Sequence, residues 1–285
     1  MCDQGISNTQ RLPQDLDRES LPNYEDVQQG RPTAPPSRYG SFPATTSLHG
    51  QWTKLKSMNL CAGENAKNRL CLIEMQTGYS GKPPLGMRTG IVLRSGMSNN
   101  DPVLAAAGDE SQGLHAFNPD GIVFLPPLNP DSKISQLDTE ELRAEAGPNG
   151  SVAFRFSVET GQDNLRQDFL WTKVKKGADQ AKRNGFRLTR LVRPSHMSPA
   201  SAGGSIEKAS SSSLPSTSVE GETVANLGWA WPSLTHAFTL EIVDGQSSVL
   251  GARWTLMVTV TAIRLYTLHV KGKTSKFVFD IGKKN

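Results

Sequence analysis

Apolar and polar residues alternate through most of this chain in short runs set off by Gly, Pro, Asn and Asp. SVAFRFSVET, residues 151–160, is the clearest case: Val152, Phe154, Phe156 and Val158 fall on one side, Ala153, Arg155, Ser157 and Glu159 on the other. Side chains of an extended strand point alternately to opposite faces, so this run predicts a strand with one face buried and one wet. QWTKLKSMNLCA, RLCLIEMQT, GIVLRSG, GIVFLPPL, DFLWTKV, NGFRLTRLV, ETVANLGWAW and HAFTLEIVDG carry the same mixture of β-branched and aromatic residues between turn formers. Many short strands at such spacing predict a sandwich or barrel. The absence of strand–helix–strand alternation argues against a doubly wound sheet. LDTEELRAEA, residues 137–146, reads instead as a short exposed helix.

One segment breaks the pattern. VLGARWTLMVTVTAIRLYTLH, residues 249–269, is the most apolar run of the chain. A membrane span needs about 20 mainly apolar residues, yet only ten separate Arg253 from Arg264, and an arginine at mid-membrane depth is expensive. A strand is favoured by Trp254, Leu256, Val258, Val260 and Ala262 alternating with Thr255, Met257, Thr259 and Thr261. Length opposes it, since strands average about five or six residues. A helix over 250–268 would be apolar nearly all round, the mark of a helix enclosed by protein. Arg253 and Arg264 then lie three turns apart on one edge, each reaching outward at its own end, with Gly251 and Gly272 as terminators.

The chain has 285 residues, 36% of them hydrophobic and 20% charged, with 26 Gly and 18 Pro. That is enough for one large domain with long loops. Residues 1–46 are rich in Pro and Gln with little apolar periodicity and read as a disordered arm; 47–285 reads as a single domain. Residues 194–222 carry ten serines and read as a flexible insertion. Net charge is +4 overall, with −2 in the first 46 residues. Cys2, Cys61 and Cys71 are too few for a disulfide scaffold, and MCDQGISNTQ has no signal-type apolar run. Reduced, buried thiols and a cytoplasmic location are the expectation.

GKPPLGMRTGIVLRSG, NNDPVLAAAGDES, FNPDGIVFLPPL, FRFSVETG with DFLWTKV and GFRLTRL, and VLGARWTLMVTVTAIRL occur here in that order. Together they resemble an uncharacterised family of filamentous-fungal proteins. The ending is similar to the tubby C-terminal-like and scramblase-like superfamily. That resemblance implies a closed antiparallel β-barrel of about 10–12 strands around a central apolar C-terminal helix. Closing a sheet removes its edges, and a wide lumen must be filled, which gives the helix a structural role. KFVFDI, residues 276–281, adds a further strand in this scheme.

The densest charge lies in KVKKGADQAKRNGFRLTRLVR, where Lys173, Lys175, Lys176, Lys182, Arg183, Arg187, Arg190 and Arg193 face Asp179 alone. The plain reading is a solvated hairpin. The functional reading comes from the resemblance: tubby-like domains bind phosphatidylinositol bisphosphate through basic side chains on adjacent strands. Here Lys173 and Lys175 share one strand face. The anion- or lipid-binding set is Lys173, Lys175, Lys176, Lys182, Arg183, Arg187 and Arg190. No stacking aromatics or recognition motif supports nucleic acid. In the arm, Leu21, Pro22 and Tyr24 form LPNY, an LPxY sequence similar to ligands of WW domains.

No GxSxG, Walker loop, GxGxxG, HExxH or paired CxxC is present, and His49, His115, His196, His236 and His269 lack ligand spacing. Asp109, Glu110 and Ser111, with His115 nearby, form a cluster compatible with acid–base work or, more plainly, a polar turn. The reading is a non-enzymatic binding or adaptor protein, without cofactor or metal, that docks to anionic or phosphoinositide membranes through the basic hairpin. The alternative is an enzyme or auxiliary protein with its active site in the barrel mouth.

Overall fold

The computed structural model describes residues 37–50, 57–79, 81–111, 119–129, 137–147, 150–177, 183–191, 221–230, 232–275 and 280. Twelve strands run in order: β1 (Thr45–His49), β2 (Ser57–Ala62), β3 (Arg69–Thr77), β4 (Thr89–Arg94), β5 (Val103–Asp109), β6 (Gly121–Leu125), β7 (Asp138–Ala146), β8 (Val152–Thr160), β9 (Leu165–Val174), β10 (Gly185–Leu191), β11 (Gly221–Trp229) and β12 (His236–Ile242). A single helix, α1 (Gln246–Val270), follows. Each strand pairs antiparallel with its sequence neighbours, and β1 pairs with β12, so the sheet closes. The fold is a closed 12-strand antiparallel barrel with one C-terminal helix, as the strand pattern and the resemblance predicted.

The helix lies in the lumen. Every residue from Arg253 to Leu265 is buried. Inward-facing strand residues such as Leu48, Ile73, Phe154, Phe156, Phe169, Trp171, Phe186 and Phe238 form one cluster with Trp254, Leu256, Val258, Val260 and Ile263. Burying each such side chain contributes about 1.5–3 kcal/mol, which is how a helix without a polar stripe finds a stable place. Its threonines donate to the helix's own carbonyls: Thr255 to Gly251 at 3.0 Å, Thr259 to Thr255 at 2.9 Å, Thr261 to Val258 at 3.1 Å and Thr267 to Arg264 at 2.7 Å. These bonds let hydroxyls sit in an apolar lumen without an orphaned group. Thr261 Oγ1 also accepts from the Trp171 indole N–H at 3.1 Å, tying β9 to the helix. Gly251, at φ 88° and ψ 171°, breaks the helical run near its start, and Gly272, at φ 72°, follows its end. Gly272 stands where the sequence placed a terminator, whereas Gly251 lies inside α1, which begins at Gln246.

The two arginines do not reach outward. Arg253 is 5% exposed and Arg264 fully buried. Near the start of α1, Arg253 meets Glu159 at 3.2 Å and Asp138 and Glu140 at 3.3 Å each, and lies 5.9 Å from the Tyr39 ring. Arg166 joins the same carboxylates, at 2.5 Å from Glu140 and 2.6 Å from Glu159. Near its end, Arg264 pairs with Asp109, which also lies 3.6 Å from Lys273. The barrel wall supplies carboxylates to both, so neither side chain needs solvent.

The predicted helix over 137–146 is a strand. β7 buries Glu140, Leu142 and Ala144 and exposes Thr139, Glu141 and Arg143. Its residues favour helix intrinsically, but β6 and β8 each need a partner for the barrel to close, and Glu140 is held by two arginines. Tertiary pairing overrides the local preference. β5 was missing from the predicted strands because VLAAAGD lacks β-branched residues after Val103. At the chain's front, Tyr39 and Phe42 pack on the core and β1 starts at Thr45, inside the expected arm. Most of the serine-rich stretch lies outside the described residues, and β11 begins at Gly221, within its expected bounds. Residues 276–279 of KFVFDI also lie outside them. Cys61 and Cys71 are buried free thiols, and burial pushes the Cys71 thiol up to about 11.

Candidate anion site at the barrel mouth

α1 stops short of filling the lumen at the end where β9, β11 and the helix itself finish. A cavity of about 1100 Å³ opens there. Its apolar wall includes Met58, Met75, Trp229 and Tyr266, all of which belong to the main core cluster or pack against it. Lys173, Lys175, Lys176, Arg183 and Lys271 also line it, and no carboxylate does among the described residues.

Strand phase puts the lysines there. Phe169 and Trp171 point into the core, and Lys173 and Lys175 continue the same period-two face as β9 runs out of the barrel. Lys173, Lys175 and Lys176 are exposed and have no ion-pair partner among the described residues. Arg183 crosses Gly228, donates to Thr239 Oγ1 at 3.1 Å and sits 3.6 Å from the exposed Glu64. Arg183 is thus tethered at its post, with weak neutralisation. The opposite end differs: Arg253 and Arg166 there are matched by three carboxylates. Uncompensated positive charge is therefore concentrated at the mouth near the helix end.

Two ring stacks flank the cavity. His269 lies 4.8 Å from Trp229 with an interplanar angle of 8°. His49 lies 4.6 Å from His236 at 13°. Burial, reinforced by the charge of Lys173, holds His269 below the usual imidazole value. Burial, then His236, does the same to His49. Both are therefore neutral at pH 7, leaving the positive charge to lysine and arginine.

Comparison with known proteins finds no match. No family model, no curated protein and no solved structure matches this chain. The site must be read from its own residues.

Of the seven basic residues named from sequence, four come together: Lys173, Lys175, Lys176 and Arg183. Arg187 pairs in register with Thr172, on the face of β9 opposite Trp171 and Lys173, and does not line the cavity. Arg190 sits towards the other end, 3.9 Å from Glu222. Lys182 lies outside the described residues, as do Leu21, Pro22 and Tyr24. Trp229, Leu234, Tyr266, His269 and Lys271 were not singled out as one site; they reach it from β11, the loop before β12 and the end of α1.

In the Asp109 cluster, the aspartate itself is engaged in the barrel wall. Asp109 ends β5 and turns to Arg264 and Thr89, while Glu110 is exposed; His115 lies outside the described residues. Burial works to raise the Asp109 pKa, but Arg264, the Thr89 hydroxyl and Lys273 outweigh it and hold the carboxyl below its usual range. No group of three or more potential metal ligands occurs among the described residues, and no helix there is long and apolar enough to cross a membrane.

Proposed function

We propose that this protein is a non-enzymatic binding protein that docks reversibly, by the helix-end mouth of its barrel, to membranes carrying phosphoinositides or other anionic lipids. The observation that carries the reading is the ring of Lys173, Lys175, Lys176 and Arg183 around an opening with no carboxylate among its described lining residues. Leu234, 77% exposed, and Val270, 48% exposed, stand at the same rim and offer apolar contact with a bilayer interface. A lysine or arginine near an anionic surface contributes about 1 kcal/mol, so four together give useful but reversible attachment. The rival reading, an enzyme working in the mouth, has His236 and His269 to draw on, but no carboxylate orients either ring among the described residues. An adaptor role adds the LPNY arm, Leu21 to Tyr24, as a WW-domain ligand.

Vesicle flotation tests the docking. The full chain is expected to float with vesicles containing phosphatidylinositol bisphosphate and to remain in solution with neutral phosphatidylcholine vesicles. Reversing Lys173, Lys175 and Lys176 to Glu is expected to lower the partition at least about 100-fold, and salt should weaken binding. Arg187→Glu, off the rim, should float as the parent does. Equal flotation of the triple variant and the parent would remove the proposal.

A further inference from the structure

The mouth is deeper than surface docking requires. A bilayer surface can be met by a convex patch of cations, and a small polar anion needs no apolar wall. Here the cationic rim stands over a recess of about 1100 Å³, slightly above the range of about 300–1000 Å³ typical of ligand pockets. Its wall is formed by Met58 and Met75 from β2 and β3, Trp229 from β11, and Tyr266 from the helix. Methionine side chains are flexible and polarisable, suited to a chain that has no fixed shape. Trp229 and Tyr266 lie 6.0 Å apart, and the tryptophan also stacks on His269 and packs against Phe186 and Phe238.

We infer that the cavity holds the hydrocarbon chain of one anionic amphiphile, with its acidic head on Lys173, Lys175, Lys176 and Arg183. The ligand class is a long-chain carboxylate or a single-chain anionic lipid, taken up as a monomer. The inference rests on the docking reading for the polarity of the rim, but adds that one molecule leaves water or the bilayer and enters the protein. The apolar wall selects for chain length and the lysines for negative charge. Neutral His269, stacked on Trp229, adds apolar ring surface to the wall without a competing charge.

Trp229 lines the cavity and reports on its occupant, whereas Trp171 and Trp254 are fully buried in the core. Trp52 and Trp231, which lie outside the described residues, are removed as Trp52→Phe and Trp231→Phe in the protein titrated. Titrating the full chain with dibromostearate below its micelle concentration is expected to quench the fluorescence contributed by Trp229. Trp229→Phe should remove that quenched component. In displacement by decanoate, dodecanoate and tetradecanoate, affinity should rise about 4-fold for each added methylene, the ratio set by the transfer of one methylene from water. The corresponding alcohols should bind more weakly. An absence of quenching, quenching unchanged in Trp229→Phe, or affinity independent of chain length overturns the inference. If vesicles still float under those results, docking stands and the cavity's occupant does not. If quenching follows chain length but vesicles fail to float, the cavity ligand stands and membrane docking falls.

Discussion

Asp109→Asn is expected to destabilise the barrel by about 3–5 kcal/mol, the typical cost of leaving a buried charge without its partner. Arg264 has no exposed surface, and its Nε and Nη1 have no hydrogen-bond partner among the described residues, so Asp109 carries its compensation. Lys273, 3.6 Å from the same carboxylate, would add repulsion once Asp109 is neutral. The double variant Asp109→Asn, Arg264→Met should recover much of the loss, because the fully buried Arg264 is then no longer stranded and only Lys273 is left without the Asp109 charge. Urea denaturation of the four proteins checks this. A double variant no more stable than Asp109→Asn alone would mean that the ion pair is not the source.

The same carboxylate sets a pH dependence. Asp109 titrates below its usual range when folded, so its contribution is fully present above the unfolded value of about 3.9 and is lost as pH falls through the folded one. The parent should therefore lose stability more steeply than Asp109→Asn below about pH 4. Parallel acid-unfolding curves would deny Asp109 that role.

The second large effect is at Trp254. Trp254→Ala should cost about 3–5 kcal/mol, as large-to-small changes at buried aromatic sites do. The side chain is fully buried near the start of the helix, 5.9 Å from Phe169, and Phe169 stacks on Phe156 at 5.3 Å. Removing it opens a void between the helix and the wall formed there by Phe169 of β9 and, behind it, Phe156 of β8. The Trp254 Nε1 has no hydrogen-bond partner among the described residues, so Trp254→Phe should lose much less. Trp171 should show a smaller advantage for Phe, since its indole N–H donates to Thr261. Thermal melts that move by the same amount for Trp254→Ala and Trp254→Phe would contradict this packing.

Much of the architecture is legible in the amino-acid sequence. The alternation in SVAFRFSVET places Val152, Phe154, Phe156 and Val158 in the core, as the structure has them. Its other face was only partly foreseen: Arg155 is exposed, but Ala153 is buried and Glu159 is drawn into the arginine network. The helix was legible because no strand stays apolar for so long; Gly272 follows its end, but Gly251 is a break inside it, since α1 already begins at Gln246. The fates of Arg253 and Arg264 were not legible. Their carboxylates come from residues as distant as Asp109 and Asp138, and only closure of the barrel makes them neighbours. β7 was misread for the same reason, since its local preference and its partners disagree. The rim lysines carried a usable signal, a continuing inward phase after Trp171. The apolar cavity beneath them did not, because it is assembled from β2, β3, β11 and α1 and exists only where the helix ends.

The most direct test of the account is to map the surface that meets a membrane. Hydrogen exchange of the full chain should be compared with phosphoinositide-containing vesicles and with neutral ones. Protection is predicted at residues 173–176, 233–236 and 269–271, which converge on the cavity, with no change around Arg166 and Glu159 at the opposite end. Protection confined to the opposite end, or to the outer face around Arg187, would contradict the assignment of the mouth as the binding surface.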